Sequence, residues 1–183
     1  LRLSWGLFPY LFYFYPKRNL MSNLERINGK IYLLDDLKTQ LKNWRANGDV
    51  TVFTNGCFDI LHQGHVEVLA KTADLGNRLI IGLNSDSSVK LLKGENRPIN
   101  DENARALLLS ALTFVDAVVL FSQQTPKQLI AEIRPNILAK GGDYNISEIA
   151  GHDIVQQDGG KVVSIPLTEG FSSTNIIDKI KDG

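Results

Sequence analysis

At 183 residues and 20.4 kDa, with 43% hydrophobic and 22% charged residues, the chain has the size and composition of one globular domain, which excludes wholesale disorder. Twenty Lys+Arg balance twenty Asp+Glu, and with neither a basic excess nor a basic stripe the chain is not read as a nucleic-acid binder. The single cysteine, Cys57, rules out an intramolecular disulfide and a Cys-rich zinc site, and points to a reducing, cytoplasmic location.

Residues 1–20 differ from the rest. They hold seven of the fifteen aromatics and no acid. The apolar stretch from Leu7 to Tyr15 is broken by Pro9, is shorter than the ~20 residues that span a bilayer, and lacks a small-residue cleavage site. The only methionine is Met21, so residues 1–20 are expected to be upstream-derived and disordered, with a membrane-surface anchor as the rival reading. Residues 21–48 are expected to form an N-terminal helical segment, and 49–183 the main domain.

Leu34, Leu37, Leu41 and Trp44 recur at helical spacing behind Asp35 and Asp36. Val50–Thr54 reads as a buried strand, and Val66, Leu69, Ala70 and Ala73 as the face of a helix that Gly76 ends. Leu79–Leu83 is a second strand, followed by a helix capped by Asn100 and running through Leu107, Leu108 and Leu112. Ala117–Phe121, Ile137–Ala139 and Val162–Ile165 complete five strands; Thr125-Pro126 opens one helix and Ser172–Lys181 forms the last. Strands apolar throughout are buried on both faces, which predicts an α/β fold: a doubly wound, mainly parallel, five-stranded Rossmann-like sheet with helices on both faces. Such a sheet places ligands beyond the carboxyl ends of its strands, where the strand order reverses.

The loop after the first of these strands is the richest segment: Asn55-Gly56-Cys57-Phe58-Asp59-Ile60-Leu61-His62-Gln63-Gly64-His65. Two histidines three apart flank Gly64 at a helix start, where free N–H groups and the helix dipole attract anions and Gly64 admits a phosphate close to the backbone. The histidines would add donors to the same anion. Metal ligation is the alternative, with Asp59 the only nearby carboxylate, and capping of the helix by both rings is another. A catalytic role for the Cys57 thiol is a third, weaker reading. After the second strand, Lys90, Lys93, Arg97 and Arg105 offer cations, or else a solvated helix face. Lys140-Gly141-Gly142-Asp143 follows the fourth strand, where glycines admit a base or ribose and Asp143 can accept hydrogen bonds. Ser172, Ser173 and Thr174 place three hydroxyls at the start of the last helix, more than N-capping needs.

The His62-Gln63-Gly64-His65 run resembles the His-x-Gly-His signature of the nucleotidyltransferase superfamily, which includes cytidylyltransferases and adenylyltransferases. More narrowly, residues ~30–181 resemble the adenylyltransferases of ADP-heptose synthesis. That resemblance runs through Gly82–Asp86, Arg97–Asn100, Val115-Asp116, Leu138–Tyr144 and Glu169–Thr174. It implies transfer of AMP from ATP, with Mg²⁺ as counter-ion, to D-glycero-β-D-manno-heptose 1-phosphate, giving ADP-heptose and pyrophosphate for bacterial surface-glycan synthesis. A separate sugar kinase would supply the acceptor, and the chain would form a homodimer. The catalytic residues implied are His62, His65, Lys93 and Arg97. Nucleotide contacts are implied for Asn55, Gly56, Cys57, Phe58, Asp59, Gly64, Asp86, Lys90, Arg105, Lys140, Gly142, Asp143, Ser172, Ser173 and Thr174. Cys57 stands where the family has small residues, and Leu167 where related cytidylyltransferases have an arginine. The competing expectations are a cytidylyltransferase acting on glycerol 3-phosphate or another phosphorylated alcohol, and a non-catalytic nucleotide-binding protein.

Overall fold

The computed structural model describes residues 21–168 and 170–181; residues 1–20 lie outside it, and with them the expectation made for that segment. Its centre is one parallel sheet of six strands: β1 (Ile31–Tyr32), β2 (Thr51–Gly56), β3 (Arg78–Asn84), β4 (Ala117–Phe121), β5 (Ile137–Gly141) and β6 (Lys161–Ile165). The order across the sheet is β1-β4-β3-β2-β5-β6, every pairing parallel. The sequence predicts five strands. The sixth is β1, which adds only two residues at the β4 edge, with Ile31 opposite Val118, and so carries no readable apolar run.

The helices are α1 (Asn23–Asn28), α2 (Leu34–Ala46), α3 (Gln63–Ala73), α4 (Asp86–Lys93), α5 (Glu102–Ser110), α6 (Lys127–Ile133), α7 (His152–Gln157) and α8 (Ser173–Lys181). Successive strand residues face opposite ways, so two cores form. Phe53, Ile80 and Leu138 meet Leu37, Leu41 and Trp44 of α2, Ile130 and Ile133 of α6 and Val155 of α7 on one face. Val52, Ile81 and Ala139 meet Val68 and Leu69 of α3 and Ala106 and Leu109 of α5 on the other. Residues 31–46 therefore contribute a strand to the sheet and a helix to its core.

Local details correct the sequence reading. Helix α3 ends at Ala73 with Asp74 as its cap, before Gly76, which instead lies where a Cβ would strike Val52 at 2.6 Å. Its buried face is Gly64, Val68, Leu69 and Thr72, rotated from the expected one and sharing only Leu69 with it. Asp101, not Asn100, caps α5, its carboxylate accepting from the Ala104 amide at 2.9 Å. Arg105, Ala106 and Leu109 form the inward face of α5, and the expected Leu107 and Leu108 are exposed. No helix among the described residues is long and apolar enough to cross a membrane.

From β2 the chain proceeds to β3 and β4 on one side and later to β5 and β6 on the other, so the order reverses between β2 and β5. A crevice opens outside the carboxyl ends of strands at such a point.

Candidate active site

A cleft of about 290 Å³ occupies that place. Asn55 and Gly56 from the end of β2 and Lys140 and Gly141 from the end of β5 form its floor, and the loop 57–62 and the start of α3 form one wall. Leu167, Thr168 and Phe171 after β6, with Ser172, Ser173 and Thr174 at α8, form the other. Val68 and Leu69 make one part apolar, and Lys93 reaches it from the end of α4.

His62 is the N-cap of α3: in extended backbone, its Nδ1 accepts weakly from the His65 amide at 3.4 Å. With Nδ1 an acceptor, the ring proton belongs on Nε2, leaving that nitrogen a donor. The His65 ring stacks on that of His62, centroids 3.8 Å apart and planes 20° apart, and meets the Phe58 ring edge-on at 5.2 Å. Among the described residues, His65 Nδ1 is buried without a hydrogen-bond partner. Burial lowers the pKa of His62, and burial first, then the neighbouring His62 and Lys93 charges, lower that of His65 to about 4. At neutral pH the pair is uncharged. It offers an anion hydrogen bonds, while positive charge comes from Lys93 and the helix terminus. Gly64 is buried beneath Phe171: a Cβ there would lie 3.0 Å from Phe171 Cβ and 3.3 Å from the His62 ring.

Asp59 is buried and fully engaged. It accepts from Arg97 Nε at 2.5 Å and from the amides of Ile99 at 2.7 Å and Asn100 at 3.2 Å, while its carbonyl accepts from Asn100 Nδ2 at 2.8 Å. Burial alone would raise its pKa; the Arg97 hydrogen bond and the two amides outweigh that and hold it below the ordinary value. At the opposite side Lys140 donates to the Asn55 carbonyl and side-chain oxygen at 3.3 and 3.2 Å. Burial lowers its pKa, with Cys57 pulling the other way.

Of the nucleotide-contact candidates, Asn55, Gly56, Cys57, Phe58, Asp59, Gly64, Lys140, Ser172, Ser173 and Thr174 line the cleft, as do His62, His65 and Lys93. Others sit elsewhere. Arg97 turns to Asp59 and does not line the cleft. Arg105 is completely buried: it donates to the carbonyls of Asn100 (3.0 Å), Cys57 (2.6 Å) and Asn84 (2.8 Å) and to Asp86 Oδ1 (2.7 Å). Its donors are spent inside the protein, and so is the carboxylate oxygen of Asp86. Lys90 and Asp143 are exposed outside the cleft lining. Gly142, at φ +125°, lies under the Tyr144 ring, which a Cβ would meet at 2.6 Å. Of the three hydroxyls, Ser172 Oγ caps α8 by accepting from the Asn175 amide at 2.9 Å and Ser173 Oγ donates to the Ile60 carbonyl at 3.2 Å.

Sequence reasoning does not find Val68, Leu69, Thr168 or Phe171. Thr168 hydrogen-bonds Glu67, which also accepts from Gln63 at 2.7 Å, and Phe171 lies parallel to the His62 ring at 6.5 Å. Position alone, in the loop before the hydroxyl cluster, could have signalled the last two. Among the described residues no group of three or more His, Cys, Asp or Glu could hold a metal ion.

Comparison with known proteins gives this arrangement a family. A model described as Cytidylyltransferase-like matches residues 53–179. The chain is 52% identical over 148 residues to the bifunctional protein HldE of Rhodopseudomonas palustris (strain BisB18), covering 81% of this chain and 30% of that protein. It is also 52% identical over 145 residues to the bifunctional protein HldE of Nitrobacter hamburgensis, covering 79% and 30%. The chain thus spans about 30% of the length of these relatives. The crystal structure of the lipopolysaccharide core biosynthesis protein from Thermoplasma volcanium GSS1 superimposes with a TM-score of 0.57 at 30% identity, covering 67% of this chain and all of that one. With the family model reaching from the middle of β2 into α8, across every wall of the cleft, the chain belongs to the cytidylyltransferase-like family.

Proposed function

We propose that this chain is a nucleotidyltransferase that moves AMP from ATP to the phosphate of D-glycero-β-D-manno-heptose 1-phosphate, forming ADP-heptose and pyrophosphate. The observation that carries the reading is the stacked His62–His65 pair on the N-terminus of α3, at the sheet's switch point and inside a cleft shared with Lys93 and Thr174. Relatives named bifunctional HldE and a structural neighbour named for lipopolysaccharide core biosynthesis support the choice of substrate.

The triphosphate lies along the start of α3, where the Gln63 and Gly64 amides precede the first intrahelical bonds and Gly64 brings no side chain between phosphate and backbone. The imidazoles donate to the phosphate oxygens, and Lys93 adds a cation. The acceptor's phosphate oxygen, ionised at neutral pH, attacks the α-phosphorus; the bond from that phosphorus to the bridging oxygen breaks, and pyrophosphate leaves with the electron pair. Such a transfer asks for positioning and charge stabilisation and needs no covalent nucleophile, so Cys57 has no role as one. Mg²⁺ arrives as part of the ATP substrate. The ion would offset charge on the polyphosphate, and the Asp59 carboxylate, committed to Arg97 and two amides, would not hold it. Asp59 and Arg97 act by holding the 57–62 loop. A sugar kinase supplies the acceptor, the enzyme works in the cytoplasm, and two copies associate.

Pyrophosphate release measured over a matrix of ATP and CTP against heptose 1-phosphate and glycerol 3-phosphate tests the proposal. Turnover with ATP and the heptose phosphate is expected. Activity confined to CTP with glycerol 3-phosphate would make the chain a cytidylyltransferase of a phosphorylated alcohol, and nucleotide binding without turnover would make it a non-catalytic nucleotide-binding protein.

A further inference from the structure

Phe58 has a backbone that its side chain does not favour. Its φ is +47°, in the left-handed region that is unfavourable for a bulky residue and persists only where the surroundings over-determine it. The neighbours on both sides supply that constraint. Before it, the Cys57 carbonyl accepts from the buried Arg105 at 2.6 Å; after it, the Asp59 carboxylate takes Arg97 and the Ile99 amide, and the Asp59 carbonyl takes Asn100 Nδ2. Three of these partners come from the segment 97–100, and Arg105 also grips the carbonyl of Asn100.

The left-handed turn folds the Phe58 ring back on the chain. The ring covers Gly56, where a Cβ would lie 2.9 Å from its Cε2, and presents its edge to His65, 5.2 Å away and inclined at 65°. His65 is thus packed against two rings, inclined to Phe58 and stacked on His62. An ordinary right-handed or extended residue at position 58 would swing that ring away.

We infer that Phe58 is the positioning residue of the histidine pair, held for that task in left-handed backbone by Arg105 on Cys57 and by the 97–100 segment on Asp59. Arg97 and Arg105, on this inference, act on the reaction through Phe58 and His65 and need not touch the nucleotide. The inference rests on the proposed nucleotidyl transfer for its kinetic consequence. Its structural part stands apart from that reading.

The test is a set of three variants, Phe58→Ala, Phe58→Leu and Phe58→Gly, read by NMR titration of the histidine rings, thermal unfolding and steady-state turnover. Losing the ring in the Ala and Gly variants opens His65 to water beside the His62 and Lys93 charges, so its pKa is expected to rise by about one unit or more from its depressed value. Turnover in those two is expected to fall roughly ten- to a hundredfold, as for a displaced catalytic group, with nucleotide KM changed less than about threefold. Phe58→Leu keeps apolar bulk and is expected to recover most of both. Phe58→Gly, at ease at positive φ, is expected to melt above Phe58→Ala. Parent-like His65 titration in the Ala and Gly variants would overturn the inference, and so would a glycine variant melting no higher than the alanine one. Should Phe58→Ala fail to fold, the Leu and Gly variants carry the same comparison by titration. A parent enzyme inactive across the whole substrate matrix would defeat the proposed function alone, and the His65 titration would still decide the inference.

Discussion

Arg97 Nε meets Asp59 Oδ2 at 2.5 Å, in a pair whose Asp59 side chain is wholly buried and whose Arg97 side chain is 13% exposed. The arrangement converts a residue that the sequence offers as a phosphate ligand into the brace of the loop that carries His62. Removing one partner of a buried pair leaves the other charge uncompensated, which commonly costs about 3–5 kcal/mol. Asp59→Asn is therefore expected to lower stability by about that amount in chemical unfolding and to reduce turnover along with it. A variant with the parent's unfolding midpoint would show that the brace carries no load.

Acid sensitivity follows from the histidines. His65 has a pKa of about 4 in the folded protein against 6.5 for an ordinary histidine, and His62 is shifted the same way. Between those values the unfolded chain binds more protons than the folded one, so stability rises with pH there. The stabilisation is fully present above pH 6.5 and is lost as pH falls towards 4. Thermal midpoints are expected to drop across that window in the parent and to drop less in His65→Gln. Equal slopes in the two proteins would remove His65 as the cause.

Gly64 tests the close approach of phosphate to backbone. Its place within α3 suits alanine, the better helix former by roughly 0.5–1 kcal/mol. Yet the added Cβ would crowd Phe171 at 3.0 Å and the His62 ring at 3.3 Å. Gly64→Ala is expected to stay folded, with a thermal midpoint within a few degrees of the parent, and to lose roughly tenfold or more of kcat/KM for nucleotide. Undiminished kcat/KM would show that the phosphate does not use this face.

The sheet is legible because its central strands carry consecutive apolar residues, Val52-Phe53, Leu79–Leu83 and Ala117–Phe121, in place of a polar alternation, the mark of burial on both faces. Ile31–Tyr32 escaped, being only two residues long at the edge, and so did α7, six residues with Val155 alone buried. In the site, the His62-Gln63-Gly64-His65 spacing sufficed to mark the start of α3, since helix geometry fixes what three residues apart means. The cations were another matter. What Arg97 and Arg105 bind is decided by Asp59 and Cys57, which lie 38 and 48 residues away in the chain. Nothing in the local sequence distinguishes an arginine that grips a substrate phosphate from one that grips a backbone carbonyl. Phe58 is expected from the sequence as a nucleotide contact, and its positive φ is not legible there because it comes from those same distant contacts.

If the His62–His65 pair stabilises the polyphosphate as its α–β linkage breaks, the loss registers in single-turnover kinetics of His65→Ala with ATP and heptose 1-phosphate. Loss of one pre-organised donor to developing charge typically costs about 10²–10³-fold in rate. A fall of about that size is expected, in a protein that still folds and still binds ATP. A His65→Ala enzyme turning over within a few-fold of the parent would contradict it.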